Sequence, residues 1–155
     1  MKKRQDYINW DDYFMAVSLL SAQRSKDPVT QVGACIVDAD KKIVSIGYNG
    51  FPIGIDDDIF PWGKEGEYHD TKYPYVCHAE FNAIMNSSTD LTNTSIYVTL
   101  FPCNECAKAI IQKKINRVYY IEDRGFSSSY EIASKRMFDA VGVDYIKLPK
   151  PDITL

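Results

Sequence analysis

His78-Ala79-Glu80-Phe81-Asn82-Ala83-Ile84-Met85-Asn86 and, beyond a short apolar run, Phe101-Pro102-Cys103-Asn104-Glu105-Cys106 decide how this chain is read. His78, Cys103 and Cys106 are the ligand types that suit zinc. Cys103 and Cys106 stand one helical turn apart, so both sulfurs can face one ion. Three protein ligands leave the fourth tetrahedral position to water, which separates catalytic from structural zinc. Glu80 is then free to move protons. Pro102 is favoured at a helix start, and a helix N-terminus lowers the pKa of nearby thiols. His78 opens a second helical run through Phe81, Ala83, Ile84 and Met85. Two thiolates, a neutral imidazole and Zn2+ sum to zero charge, so such a site can be largely dehydrated.

Two blander readings compete. A closed structural zinc needs a fourth ligand from Cys35, Cys77 or His69, and there is no second C-x-x-C. A lone C-x-x-C also serves as a redox pair. Neither gives Glu80 a role, and H-x-E…P-C-x-x-C is a signature of zinc nucleobase deaminases.

Composition sets the outer bounds. The chain has 155 residues, 45% hydrophobic and 25% charged, which fits one domain spanning 1–155 with a core of its own. Four cysteines, two of them in the zinc motif, argue for a reducing compartment, here the cytoplasm, over a disulfide framework. No apolar run reaches membrane length, and no apolar segment follows the charged start to make a signal peptide, so no membrane partner is expected. The net charge of −3, with Lys2–Arg4 as the only basic cluster, argues against a nucleic-acid polymer as partner.

The chain order follows from periodicity. Trp10 to about Lys26 reads as a helix with Asn9 as N-cap and Tyr13, Phe14, Val17, Leu20 and Ala22 on its apolar face. Val32–Val37 and Ile43–Asn49 read as an antiparallel hairpin. Asn49 either reaches into a cleft or is half of an Asn-Gly turn. Arg24 and Lys26 are either ligand-binding cations or the solvated end of a helix. Residues 51–77 lack periodicity and are expected to form a rim or lid, with Asp56-Asp57-Asp58 as a solvated turn. Ser95–Leu100 is a third strand, and the Cys103 helix runs to about Lys114. Arg117–Ile121 is a fourth strand. Ser127-Ser128-Ser129 cap a helix from Tyr130 to Val141 with Ala133, Met137 and Ala140 inward, Gly142 ends it, and Val143–Lys147 is a fifth strand. This order predicts an α/β fold: three α-β-α layers around a five-stranded mixed sheet.

Taken together, Arg24-Ser25-Lys26-Asp27-Pro28, Gly47-Tyr48-Asn49-Gly50-Phe51-Pro52, Cys77-His78-Ala79-Glu80 and Pro102-Cys103-Asn104-Glu105-Cys106-Ala107-Lys108 resemble the deoxycytidylate (dCMP) deaminase family of the cytidine-deaminase-like fold. The likeness covers nearly the whole chain. It implies hydrolysis of dCMP to dUMP for thymidylate synthesis, with Glu80 as the proton shuttle. It also implies a homohexamer, activated by dCTP and inhibited by dTTP, each with Mg2+. By the same resemblance Asn49 holds the sugar 3′-hydroxyl, and Ala79 contacts the pyrimidine through its backbone. Gly50, Phe51 and Pro52 belong to the regulatory nucleotide site. Candidates for the substrate phosphate are Arg24, Lys26 and Arg124. Arg124 stands in Glu122-Asp123-Arg124-Gly125-Phe126, where some relatives place a Tyr. Use of dCTP as well as dCMP, or of a base within a polynucleotide, remains an alternative.

Overall fold

A computed structural model of the chain describes residues 1–125 and 128–154; expectations that fall on Phe126 and Ser127 lie outside the described residues. Helix α1 spans Trp10–Ala22, and strands β1 and β2 span Gly33–Val37 and Ile43–Tyr48. Helix α2 (Ala79–Asn86), strand β3 (Ser95–Leu100) and helix α3 (Asn104–Gln112) follow. Strand β4 (Arg117–Glu122), helix α4 (Ser129–Val141) and strand β5 (Asp144–Lys147) complete the order. The five strands form one sheet ordered β2-β1-β3-β4-β5. β1 is antiparallel to both β2 and β3, whereas β3, β4 and β5 are parallel. The predicted mixed sheet and layer count match this architecture.

Strand alternation assigns the two faces. Ala34, Ile36, Ile96 and Val98 point to the face covered by α2, α3 and Phe138 of α4. Cys35, Val37 and Tyr97 point to the opposite face, where Phe14 and Met15 of α1 cover them.

Several boundaries and faces differ from the expectation. The Asn9 side chain does cap α1, accepting from the Asp12 amide at 2.8 Å. The helix stops at Ala22, short of Lys26. The amides of Gln23, Arg24 and Ser25 bond carbonyls only three residues back, which tightens the chain and ends the α-helix. The face of α1 is also rotated: Tyr13 and Leu20 are exposed, and Ser18 and Ser21 are buried. Ser18 succeeds there because its hydroxyl donates to the Phe14 and Tyr97 carbonyls, and Ser21 donates to the Val17 carbonyl. In α4 Glu131, Ser134 and Phe138 are buried, Met137 packs against the core as expected, Ala133 is half-buried, and Ala140 is exposed. Helix α3 begins at Asn104, so Cys103 is its N-cap and Pro102 precedes the cap. It ends at Gln112, because Lys114 takes φ 61°.

Residues 51–77 are ordered by their own contacts. Phe51 stacks on Trp62 at 4.0 Å, and Phe60 meets Tyr75 edge-on at 5.1 Å. The Lys72 ammonium pairs with Asp27 at 2.6 Å, both side chains nearly inaccessible to water. Asp56-Asp57-Asp58 is a turn, as expected, with the Asp58 amide donating to the Asp56 carboxylate at 2.8 Å.

Gly47 sets how closely α2 approaches the sheet. A Cβ there would lie 2.4 Å from the Ala83 nitrogen and 2.5 Å from the Ala79 oxygen, both backbone atoms that cannot swing away. Gly47→Ala therefore forces α2 outward. The expected result in thermal or denaturant unfolding is a loss of about 1–3 kcal/mol or more, together with weakened metal retention, because α2 carries one side of the site.

Candidate metal and nucleotide site

The site forms where two helices begin. β3 runs into Phe101, whose amide donates to the Glu122 carbonyl at 2.8 Å. Ser134 of α4 donates to the Pro102 carbonyl at 2.9 Å, fixing the turn that presents Cys103. On the other side, Gly50 and Cys77 exchange backbone hydrogen bonds of 3.0 and 2.7 Å, which anchors the residue before His78. His78 is the N-cap of α2, and Cys103 is the N-cap of α3. The positive ends of two helices thus face one point.

His78 Nδ1 lies 3.4 Å from the Sγ atoms of both Cys103 and Cys106. A tetrahedral ion with Zn–N near 2.0 Å and Zn–S near 2.3 Å needs N···S edges of about 3.6 Å. The donor set therefore fits zinc in both type and spacing. It is the one such cluster among the described residues. All four cysteines are free.

The charges are arranged to match. A hydrogen bond with Cys106 and another with His78 hold the Cys103 thiol down at about 4, against burial. The Cys106 thiol is pushed up by its bond to Cys103 and by burial. A bound divalent cation deprotonates coordinating thiols outright. Glu80 is buried, at 4% exposure. Burial raises its pKa above the ordinary carboxylate value, outweighing the attraction of His78 and a bond with Cys106. A carboxyl whose charged form is disfavoured by burial is suited to take up a proton.

A cavity of about 560 Å³ opens over these groups. Asn49 and Ala79 line it, as expected, and so does Arg124, whose charge is felt at His78. Asn49 is both a turn residue and a wall residue. Its amide oxygen accepts from the Val32 amide at 2.9 Å, and its NH2 donates to the Thr30 carbonyl at 2.9 Å, leaving one N–H for a ligand. Arg24 and Lys26 are not in this cavity. They line a second one of about 180 Å³, with Gly50, Phe51 and Pro52. There Arg24 sits 5.8 Å from the Tyr48 ring centroid, and Lys26 is paired with Asp57. The early end of α1 turns them to that side. Asn49 borders both cavities. Sequence reasoning missed Lys64, Lys72 and Glu131, which also line the larger cavity. Lys72 lies in a segment with no periodicity to point at it.

No helix of the described residues is long and apolar enough to cross a membrane.

Comparison with known proteins bears on this geometry. Residues 8–122 match the family model described as the cytidine and deoxycytidylate deaminase zinc-binding region. The chain is 57% identical over 152 residues to the deoxycytidylate deaminase of Homo sapiens, covering 96% of this chain and 85% of that one. It is 59% identical over 150 residues to a probable deoxycytidylate deaminase of Drosophila melanogaster, covering 92% and 74%. Among solved structures, it superposes with a TM-score of 0.69 and 29% identity on the dCMP deaminase of cyanophage S-TIM5 in complex with dCMP and dUMP, covering 88% of this chain and 94% of that one.

Cys103→Ser removes a thiolate from the N-cap of α3 without changing backbone shape. Metal analysis of purified protein is expected to find one zinc per chain in the wild type and less than a tenth of that in Cys103→Ser after mild chelation. Full retention by the variant contradicts the ligand set.

Proposed function

The chain belongs to the cytidine and deoxycytidylate deaminase family, and on that premise we propose that it hydrolyses dCMP to dUMP and ammonia, supplying dUMP for thymidylate synthesis. The observation that carries this reading is the buried Glu80 beside three zinc-type donors, at one end of a cavity that also contains Asn49 and cationic side chains. The cavity volume lies in the usual range for small-molecule sites, about 300–1,000 Å³.

A bound zinc, held by His78, Cys103 and Cys106, supplies an activated water by lowering its pKa toward about 7. Glu80 would take the proton lost as a water oxygen bonds to C4 of the pyrimidine. It delivers the proton to N3, which places the added electron pair on the ring. Glu80 then carries the proton of the new C4 hydroxyl to the C4 amino group, and the C–N bond breaks to release ammonia as the C4 carbonyl forms. The Ala79 N–H, in the first turn of α2 where helix donors have no internal partner, faces the pyrimidine oxygen. Asn49 offers its remaining N–H to the sugar 3′-hydroxyl. Arg124 and Lys64 bring positive charge to the mouth of the cavity, suited to a phosphate.

The second cavity supports a regulatory role. Arg24 and Lys26, beside Gly50, Phe51 and Pro52, suit a triphosphate with its Mg2+, with dCTP activating and dTTP inhibiting. Asn49 belongs to both cavities and would carry the coupling. Exposed Ile46, Tyr48, Phe81 and Met85 offer apolar surface for a homohexamer. Residues 1–155 act together as one deaminase domain. Four free cysteines suit a reducing cytoplasm.

Two measurements test this. Ammonia release from dCMP, dCTP, deoxycytidine and CMP is expected to favour dCMP in kcat/KM, with the dCMP rate raised by Mg–dCTP and lowered by Mg–dTTP. A preference for deoxycytidine overturns the nucleotide reading, and indifference to both triphosphates overturns the regulatory one. Glu80→Gln keeps the shape but cannot shuttle protons. It is expected to retain zinc and lose at least about 10²-fold in kcat, whereas near-wild-type turnover removes Glu80 from the chemistry.

A further inference from the structure

Lys72 is a buried lysine, 7% exposed, in the wall of the catalytic cavity. Among the described residues its ammonium has one partner, Asp27 Oδ2 at 2.6 Å. An ammonium carries three donors and no acceptor. Two N–H groups thus remain for whatever occupies that cavity. A buried cation with one partner is costly unless something else completes its shell.

Asp27 cannot use its remaining capacity to move toward a ligand. Its Oδ1 accepts from the amides of Val29 and Thr30 at 2.8 and 3.2 Å. Burial favours the neutral acid, but the bonds from Lys72 and from these two amides prevail and hold the carboxyl below its ordinary value of 3.8. Asp27 is therefore a carboxylate in the neutral range. The Lys72 backbone is equally fixed: its N–H donates to the Gly63 carbonyl at 2.9 Å, and its carbonyl accepts from Tyr75 and Val76 at 3.0 Å each. A surface lysine would first have to give up rotamer freedom on binding, and this one is already ordered.

Position narrows the ligand. Asp27 fixes the turn containing Thr30, and the Thr30 carbonyl holds the Asn49 amide at 2.9 Å. Lys72 and Asn49 are thus tied into one wall of the cavity, and both line it together with Glu80 and His78. With the base at Glu80 and the sugar at Asn49, the remaining part of a nucleotide is its 5′-phosphate. We propose that Lys72, held by Asp27, binds the substrate's 5′-phosphate and so makes the site select a nucleoside monophosphate over the nucleoside. This inference rests on the deaminase reading above. It adds to Arg124 a phosphate ligand from inside the cavity, on an ordered wall.

The test compares kcat/KM for dCMP and for deoxycytidine in wild type, Lys72→Met, Lys72→Arg and the double variant Asp27→Asn/Lys72→Met. The double variant removes the ion pair as a unit, so no unpaired charge is left buried. A phosphate ligand predicts that the dCMP-to-deoxycytidine ratio falls about 10- to 150-fold in Lys72→Met, stays low in the double variant and recovers in part in Lys72→Arg. A clamp that only holds the loop would lower both substrates alike, or be rescued in the double variant, and either result overturns the proposal. If the variants do not fold, a crystal structure of wild type with dUMP decides. A phosphate oxygen within about 3.2 Å of Lys72 Nζ supports the proposal, and one beyond about 5 Å overturns it. A wild type inactive on dCMP overturns the substrate reading and this inference with it. A wild type active on dCMP with an unchanged ratio in both Met variants overturns this inference alone.

Discussion

Bringing two sulfurs each to 3.4 Å from one imidazole nitrogen is the constraint on which this structure depends. Placed so close, the sulfurs disfavour double ionisation, which holds the Cys103 thiol down and pushes the Cys106 thiol up. A divalent ion resolves that conflict. The fold must then hold two helix starts at one place, and each is pinned separately. The Gly50–Cys77 bridge fixes the residue before His78, and the Ser134 bond to Pro102 fixes the residue before Cys103. Gly47 lets α2 lie against the sheet, close enough for both to meet.

The same elements connect the metal to the rest of the cavity. His78, Ala79 and Glu80 stand at successive positions where α2 begins, so the metal-type donor and the buried carboxyl move as one body. Asn49, at the end of β2, ties the β1 entry to the cavity and borders the second cavity as well. A shift in the loop after Gly50 therefore has a short covalent and hydrogen-bonded route to His78, through Gly50 and Cys77. The insertion contributes its own small aromatic core and a buried ion pair, which hold it against the catalytic wall.

Much of this was legible in the sequence for physical reasons. The ligands have rigid spacing and a donor chemistry few other roles require, so His78, Cys103 and Cys106 could be named from residue types alone. The sheet was legible because β1 and β3 are short continuous apolar runs bounded by turn residues. The faces of α1 were harder. Ser18 and Ser21 are polar by type and buried in fact, because each hydroxyl finds a backbone carbonyl, and that partner is invisible before the fold is known. Arg24 and Lys26, candidates for the substrate phosphate by their charge, line the second cavity, which only the folded chain shows. Lys72 was invisible because a lysine in an aperiodic loop looks like surface; only its partner at Asp27, 45 positions away, reveals it.

The central claim is that the three donors hold one zinc in an open site, with the fourth position available to water beside Glu80. X-ray absorption at the zinc edge of the purified protein tests this most directly. The account predicts two sulfur scatterers near about 2.3 Å and two light atoms, nitrogen and oxygen, near about 2.0 Å. Three or four sulfurs, with Cys35 or Cys77 recruited, would describe a closed structural centre and contradict it.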